Sequence, residues 1–141
     1  MSAGATFWDD LVRDLEDPEF LREYIIESVR IATIDTVVNE LDEARQAAGM
    51  TKADLARAIR SDPATVRRLF SSDAANPTLG TLAEVAAVLG CRVTIEPLPD
   101  DERALITSPL VEGAAPDPRG LACVIEGRRS RRPGVRARSG Q

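Results

Sequence analysis

Between Phe7 and Glu16 the apolar residues fall at positions 7, 8, 11, 12 and 15, a spacing that lays one apolar stripe along a short helix. Asp17-Pro18-Glu19 then predicts a new helix start. The Asp17 carboxylate can accept from free N–H groups, Pro18 has no N–H to leave unpaired, and Glu19 suits the positive end of the helix dipole. The same period continues through Phe20, Leu21, Tyr24, Ile25 and Val29, then Ile34, Val37, Val38 and Leu41, up to Gly49, a natural terminator. The β-branched stretch from Ile31 to Val38 lowers helix propensity and leaves room for a break there.

Three short helices are expected next, over 51–60, 63–71 and 78–89, separated by Ser61-Asp62 and by the turn-rich residues 72–77. Each opens on a residue able to cap it: Thr51, Asp62 and Thr78. Gly90 closes the last, and the alternation in CRVTIE from Cys91 to Glu96 predicts a single strand that Pro97 stops. A lone strand needs a partner, and the simplest is the same strand of a second subunit, which implies a homodimer. Beyond Pro97 the period fades into Pro-, Gly-, Asp- and Arg-rich sequence, which predicts a mostly disordered tail. Within it, Leu121 to Ile125 reads either as a strand or as a partner-binding segment. The expected organisation is an N-terminal helical extension (1–32), a domain (33–97) and a tail (98–141), all-α apart from the one terminal strand.

Composition narrows the function classes. A chain of 141 residues is too short for a large multi-domain enzyme, and with aromatics at only 4% its core must be built from Leu, Ile, Val and Ala. The net charge of −5 is unevenly spread. Residues 1–50 carry twelve acids against four arginines, whereas 51–80 carry five basic residues against three acids and 121–141 six arginines against one acid. Phosphates sense charges within a Debye length, roughly 8 Å at physiological salt, so a local basic patch on an acidic protein suffices for DNA.

The two cysteines, Cys91 and Cys123, lack CxxC spacing, and the chain has no histidine, which removes zinc sites and His-based triads. Both are expected as free thiols. No metal or cofactor is implied. No apolar run approaches the 18 or so residues that span a bilayer, and no basic-then-apolar leader pattern opens the chain, so a soluble cytoplasmic protein is expected. Asp9, Asp10, Asp14 and Glu16 are the nearest thing to a catalytic carboxylate set, but no nucleophile or phosphate loop accompanies them, and an enzyme is not expected.

The chemistry concentrates in TKADLARAIRSDPATVRRLF, residues 51–70. Leu55, Ala56 and Ile59 form the inner face of one helix and Val66 and Leu69 that of the next, with the small Ala56 where the two approach. That leaves Pro63, Ala64, Thr65, Arg67, Arg68 and Ser71 toward solvent or its margins. This is the layout of a helix-turn-helix, in which a supporting helix holds a second helix whose outer face enters the major groove of DNA. Arg67 and Arg68 are the candidates for guanine edges, and Lys52, Arg57, Thr65 and Ser71 for phosphate contacts. The competing account of the arginines is an ordinary solvated basic face.

LDEARQAAGMTKADLARAI, then DPATVRRLF, then NPTLGTLAEVAAVLG followed by CRVTIEPL resemble, in that order, the phage-repressor-like (Cro/repressor) helix-turn-helix family. The likeness runs from Leu41 through Ile95. It implies a five-helix DNA-binding domain that binds operators as a dimer, with Pro63, Ala64 and Arg68 where that family reads bases and Lys52 and Arg57 where it touches backbone. Arg60 departs from the family, standing at a turn position where glycine is common. A non-glycine residue at positive φ costs about 1 kcal/mol or more, so a wider turn is expected. Pro63-Ala64 offers no side-chain donor, which leaves base reading to the arginines and to contact between Ala64 and a thymine methyl.

A narrower likeness, carried by DPEFLREYIIE, NPTLGTL and LGCRVTIEPLP, is to antitoxins of the host-inhibition-of-growth type. It implies an autoregulatory repressor that also neutralises a cognate toxin, often a ribosome-dependent RNA-cutting enzyme. Two alternatives stay open: a plain phage-like repressor, and a helix-turn-helix that serves only as a protein-interaction adaptor. The acidic N-terminal half reads either as a dock for a basic toxin or as a solvated face. The run from Arg128 to Arg138 reads either as nonspecific phosphate contacts or as an unselected end.

Overall fold

The computed structural model describes residues 3–71 and 76–130, and among them every regular element is helical. In chain order these are α1 (Ala3–Asp14), α2 (Pro18–Ala47), α3 (Lys52–Ala58), α4 (Pro63–Leu69), α5 (Leu79–Val88), a single turn α6 (Asp100–Glu102), a π-helical turn (Arg103–Thr107), α7 (Ser108–Glu112) and α8 (Pro118–Ser130). They form two compact units, one from Met1–Ala32 with Glu96–Arg132 and one containing Thr33–Ile95.

The predicted start of α2 is present: Asp17 accepts from the Glu19 N–H at 3.1 Å, and Pro18 is the first helical residue. The room left for a break is not used, because α2 continues for 30 residues. Val38 and Leu41, in and just beyond the β-branched stretch, are buried in the core of the second unit, and that packing outweighs a few tenths of a kcal/mol of propensity per residue.

In the second unit Leu55, Ala56, Val66, Leu69 and Val85 are at most 4% exposed and form one core with Val38 and Leu41. Each fully buried aliphatic side chain contributes about 1.5–3 kcal/mol. Residues 33–95 hold four helical segments among the described residues, not five. The predicted strand at 91–96 is also absent. Residues 91–99 have no ladder partner among the described residues, and Ile95 is 95% exposed. A strand is held by cross-strand pairing, and the described residues supply no second segment here.

The expectation of a disordered tail fails for residues 100–130, and its remainder, residues 131–141 with most of the arginine run, lies outside the described residues. Leu121, Ala122 and Ile125 lie on one face of α8, so that segment is a buried helix and neither a strand nor a free docking segment. They close a core with Leu11, Leu15, Leu21, Ile25 and Ile106. Pro99, Gly113 and Pro118 instead mark helix ends, and Pro109 follows the π-helical turn. Pro99 precedes α6, Pro109 sits in the first turn of α7, Pro118 opens α8, and Gly113 ends α7 in the left-handed region at φ 78°. There the Arg22 guanidinium donates to the carbonyls of Leu110 and Val111 at 3.0 and 3.3 Å, satisfying groups a helix end leaves open. Both cysteines are free and exposed. No helix among the described residues is long and apolar enough to cross a membrane.

Candidate nucleic-acid interface

α3 begins in a reciprocal cap. The Thr51 hydroxyl accepts from the Asp54 N–H at 3.0 Å, and the Asp54 carboxylate accepts from the Thr51 N–H at 2.9 Å. That backbone bond, then the Thr51 hydroxyl and the Arg57 charge, hold the Asp54 carboxyl below its ordinary range. Asp54 also pairs with Arg57 one turn on. α4 begins with Asp62 accepting from the Ala64 N–H at 3.0 Å and with Pro63 in its first turn.

Between the two helices the turn is tight, not widened. Ile59 caps α3, and Arg60 itself adopts the left-handed conformation at φ 57°. Its N–H donates to the Arg57 carbonyl at 3.2 Å, and the Ser61 N–H reaches back to Ala56 at 2.8 Å. This is the double hydrogen bond usually closed by glycine, and Gly49 and Gly90 make the same pair of bonds after α2 and α5. Arginine in this role stores strain on the order of 1 kcal/mol.

With that turn set, α3 and α4 bring their inner faces together at Leu55, Ala56, Val66 and Leu69. At about 100° per residue, Ala64 and Arg68 then lie along the outward line of α4, with Arg67 beside it and Ser71 just past the helix end. Pro63, Arg67 and Arg68 are exposed, while Ala64, Thr65 and Ser71 are half-buried. Arg60 is exposed as well. Neither Arg67, Arg68 nor Arg60 forms an ion pair with an acid among the described residues.

The residues expected to touch backbone differ in how they are held. Arg57 is exposed but engaged with Asp54. Lys52 is half-buried, its ammonium 6.0 Å from the centre of the Phe70 ring. The same ring lies 5.8 Å from the Arg45 guanidinium. Two features escaped the sequence reading. Arg60, a turn residue by its place in the sequence, is also a third exposed cation with Arg67 and Arg68. Asp42 and Arg45, spaced i,i+3 like a surface pair, are instead an ion pair beneath α4, with Asp42 only 5% exposed.

The paired inner faces, the tight turn and the outward arginines are on one contiguous stretch. Residues 41–95 match the helix-turn-helix family model. No curated protein and no solved structure matches the chain. The match takes in the end of α2, all of α3 to α5 and residues 91–95 after them, and it supports DNA binding and transcription regulation as the class of activity.

Proposed function

We propose that the chain is a sequence-specific repressor whose α4 enters the major groove of an operator upstream of its own gene. The observation that carries this reading is the exposure of Arg67 and Arg68, without acidic partners among the described residues, on a helix anchored by Val66 and Leu69 within the helix-turn-helix segment. Each arginine can take a guanine bidentately, a discrimination of about 1–3 kcal/mol, or clamp a phosphate. Ala64 contributes methyl contact to thymine, with Pro63 beside it, and Lys52, Arg57, Thr65 and Ser71 position the helix on phosphates. The exposed Arg57–Asp54 pair opens readily in favour of a phosphate, because solvent screens such pairs.

The operator-bound form is a homodimer. Supporting this, the 91–96 segment has no pairing partner among the described residues and leaves Val93 and Ile95 exposed. The acid-rich first fifty residues and the DPEFLREYIIE motif favour the finer reading of an antitoxin with a basic cognate toxin.

Fluorescence-anisotropy titration of the full chain against its own upstream DNA, at several salt concentrations, tests the core of the proposal. The wild type should bind in a salt-sensitive way and prefer this DNA to random duplex. Arg67→Ala/Arg68→Ala should lose that preference while its circular dichroism stays helical. Equal binding to random duplex overturns the operator reading, and absence of binding to either DNA favours the adaptor. Co-expression with the product of the neighbouring reading frame tests the toxin: without a stable complex, the plain repressor remains.

A further inference from the structure

On the first unit, one face of α2 carries Phe20, Glu23, Tyr24, Glu27 and Ile31, which with Arg129 of α8 line an open groove. The Phe20 and Tyr24 rings stack, with centroids 6.1 Å apart and planes inclined by 12°. The Tyr24 hydroxyl donates to Glu126 at 2.6 Å, which fixes the ring. Glu23 and Glu27, one helical turn apart and both exposed, form no ion pair among the described residues. An aromatic platform flanked by free carboxylates is suited to a planar cation.

One guanidinium of the chain already sits on this platform. The Arg129 guanidinium lies 5.3 Å from the Tyr24 ring centre, while its nitrogens contact Glu126 at 3.5 Å and the Ser28 hydroxyl at 3.3 Å. Arg129 uses Tyr24 and Glu126 and leaves Glu23 and Glu27 unmatched.

We propose that this groove is a docking surface for an arginine-bearing segment of a partner protein, whose guanidinium groups stack beside Phe20 and pair with Glu23 and Glu27. The occupant is argued from charge complementarity and from the arginine already seated on the same platform. Lysine fits less well, because a compact ammonium lacks the planar face for stacking and the fork for carboxylates. The inference deepens the reading of the DPEFLREYIIE segment as a dock for a basic partner and does not rest on α4 or on DNA, so it and the operator reading fail separately.

The test is titration of the full chain with fluorescein-labelled hexa-arginine and hexa-lysine peptides at physiological salt. Expected are arginine binding at least tenfold tighter than lysine binding, and a tenfold or greater loss in Glu23→Gln/Glu27→Gln. Phe20→Ala should narrow the arginine-over-lysine preference, and the carboxylate variant should keep its helicity and its affinity for DNA. Equal binding of the two peptides, or binding that the carboxylate variant leaves unchanged, overturns the proposal. So does hexa-arginine binding that appears only after residues 131–141 are removed, which assigns the groove to the chain's own arginines. Self-association abolished by the carboxylate variant, without peptide binding, assigns it to a second copy and also overturns the proposal.

Discussion

Arg45 donates from both Nε and Nη2 to a single oxygen of Asp42, at 3.0 and 2.9 Å, while its Nη1 donates to the Met50 carbonyl at 2.8 Å. Gln46 satisfies the other Asp42 oxygen at 2.9 Å, and the guanidinium lies against Phe70 at the end of α4. A single arginine therefore ties the last turns of α2 to the loop before α3 and to the helix proposed to enter DNA.

Asp42→Ala leaves that guanidinium largely buried, its side chain 13% exposed, without its carboxylate. Removing one partner of a buried pair costs about 3–5 kcal/mol. Amide exchange over α3 and α4 should show this loss as faster opening of both helices. A change below about 1 kcal/mol would mean that the pair contributes no more than a surface one.

Arg60→Gly should stabilise the helix-turn-helix by about 1 kcal/mol, because glycine enters the left-handed region without a Cβ clash. Arg60→Ala keeps its Cβ and should bring no such gain. Thermal melts of the two variants separate strain relief from mere loss of a charge; equal shifts would argue against strain at this position.

The depressed Asp54 carboxyl gives α3 a pH-dependent cap. The folded state binds this proton less tightly than the unfolded state, so the contribution is complete above the ordinary value of 3.8 and is lost as pH falls through the lower folded value. Asp54→Asn should therefore melt below the wild type at neutral pH, and the gap should close on acidification below about pH 4. A gap that stays constant into strong acid would separate the cap from the carboxylate's charge.

Leu121→Ala tests whether α8 is a structural part of the first unit. Leu121 is 1% exposed, and its truncation should cost about 2–5 kcal/mol. Trp8, the only tryptophan, packs against the same core and reports its unfolding by fluorescence. An unchanged denaturation midpoint would return residues 118–130 to the status of a loose tail.

Much of the helix-turn-helix is legible in the chain because its signals are local. Thr51, Asp62 and Thr78 cap the helices they precede, Gly49 and Gly90 end theirs, and the spacing of Leu55, Ala56, Val66 and Leu69 assigns the inner faces. Such signals act over three or four residues, so adjacent sequence contains them whole. Arg60 shows where the local rule stops. Its side chain disfavours the left-handed turn, yet the packing of α3 on α4 imposes it.

What the sequence by itself determined is therefore the local outline: where helices start and stop around the site, and which face of α4 is basic. The tertiary structure alone decided which apolar stripes have partners. Leu121 and Ile125 could not be read as core from their neighbours, because what covers them lies in α1 and α2, just as Tyr24 meets Glu126 across 102 positions of chain. The strand expected at 91–96 illustrates the converse, since its alternation is local but its ladder needs a second segment. Burial of the Asp42–Arg45 pair was likewise decided by packing, because an i,i+3 acid and base look the same in sequence whether water or Phe70 lies above them.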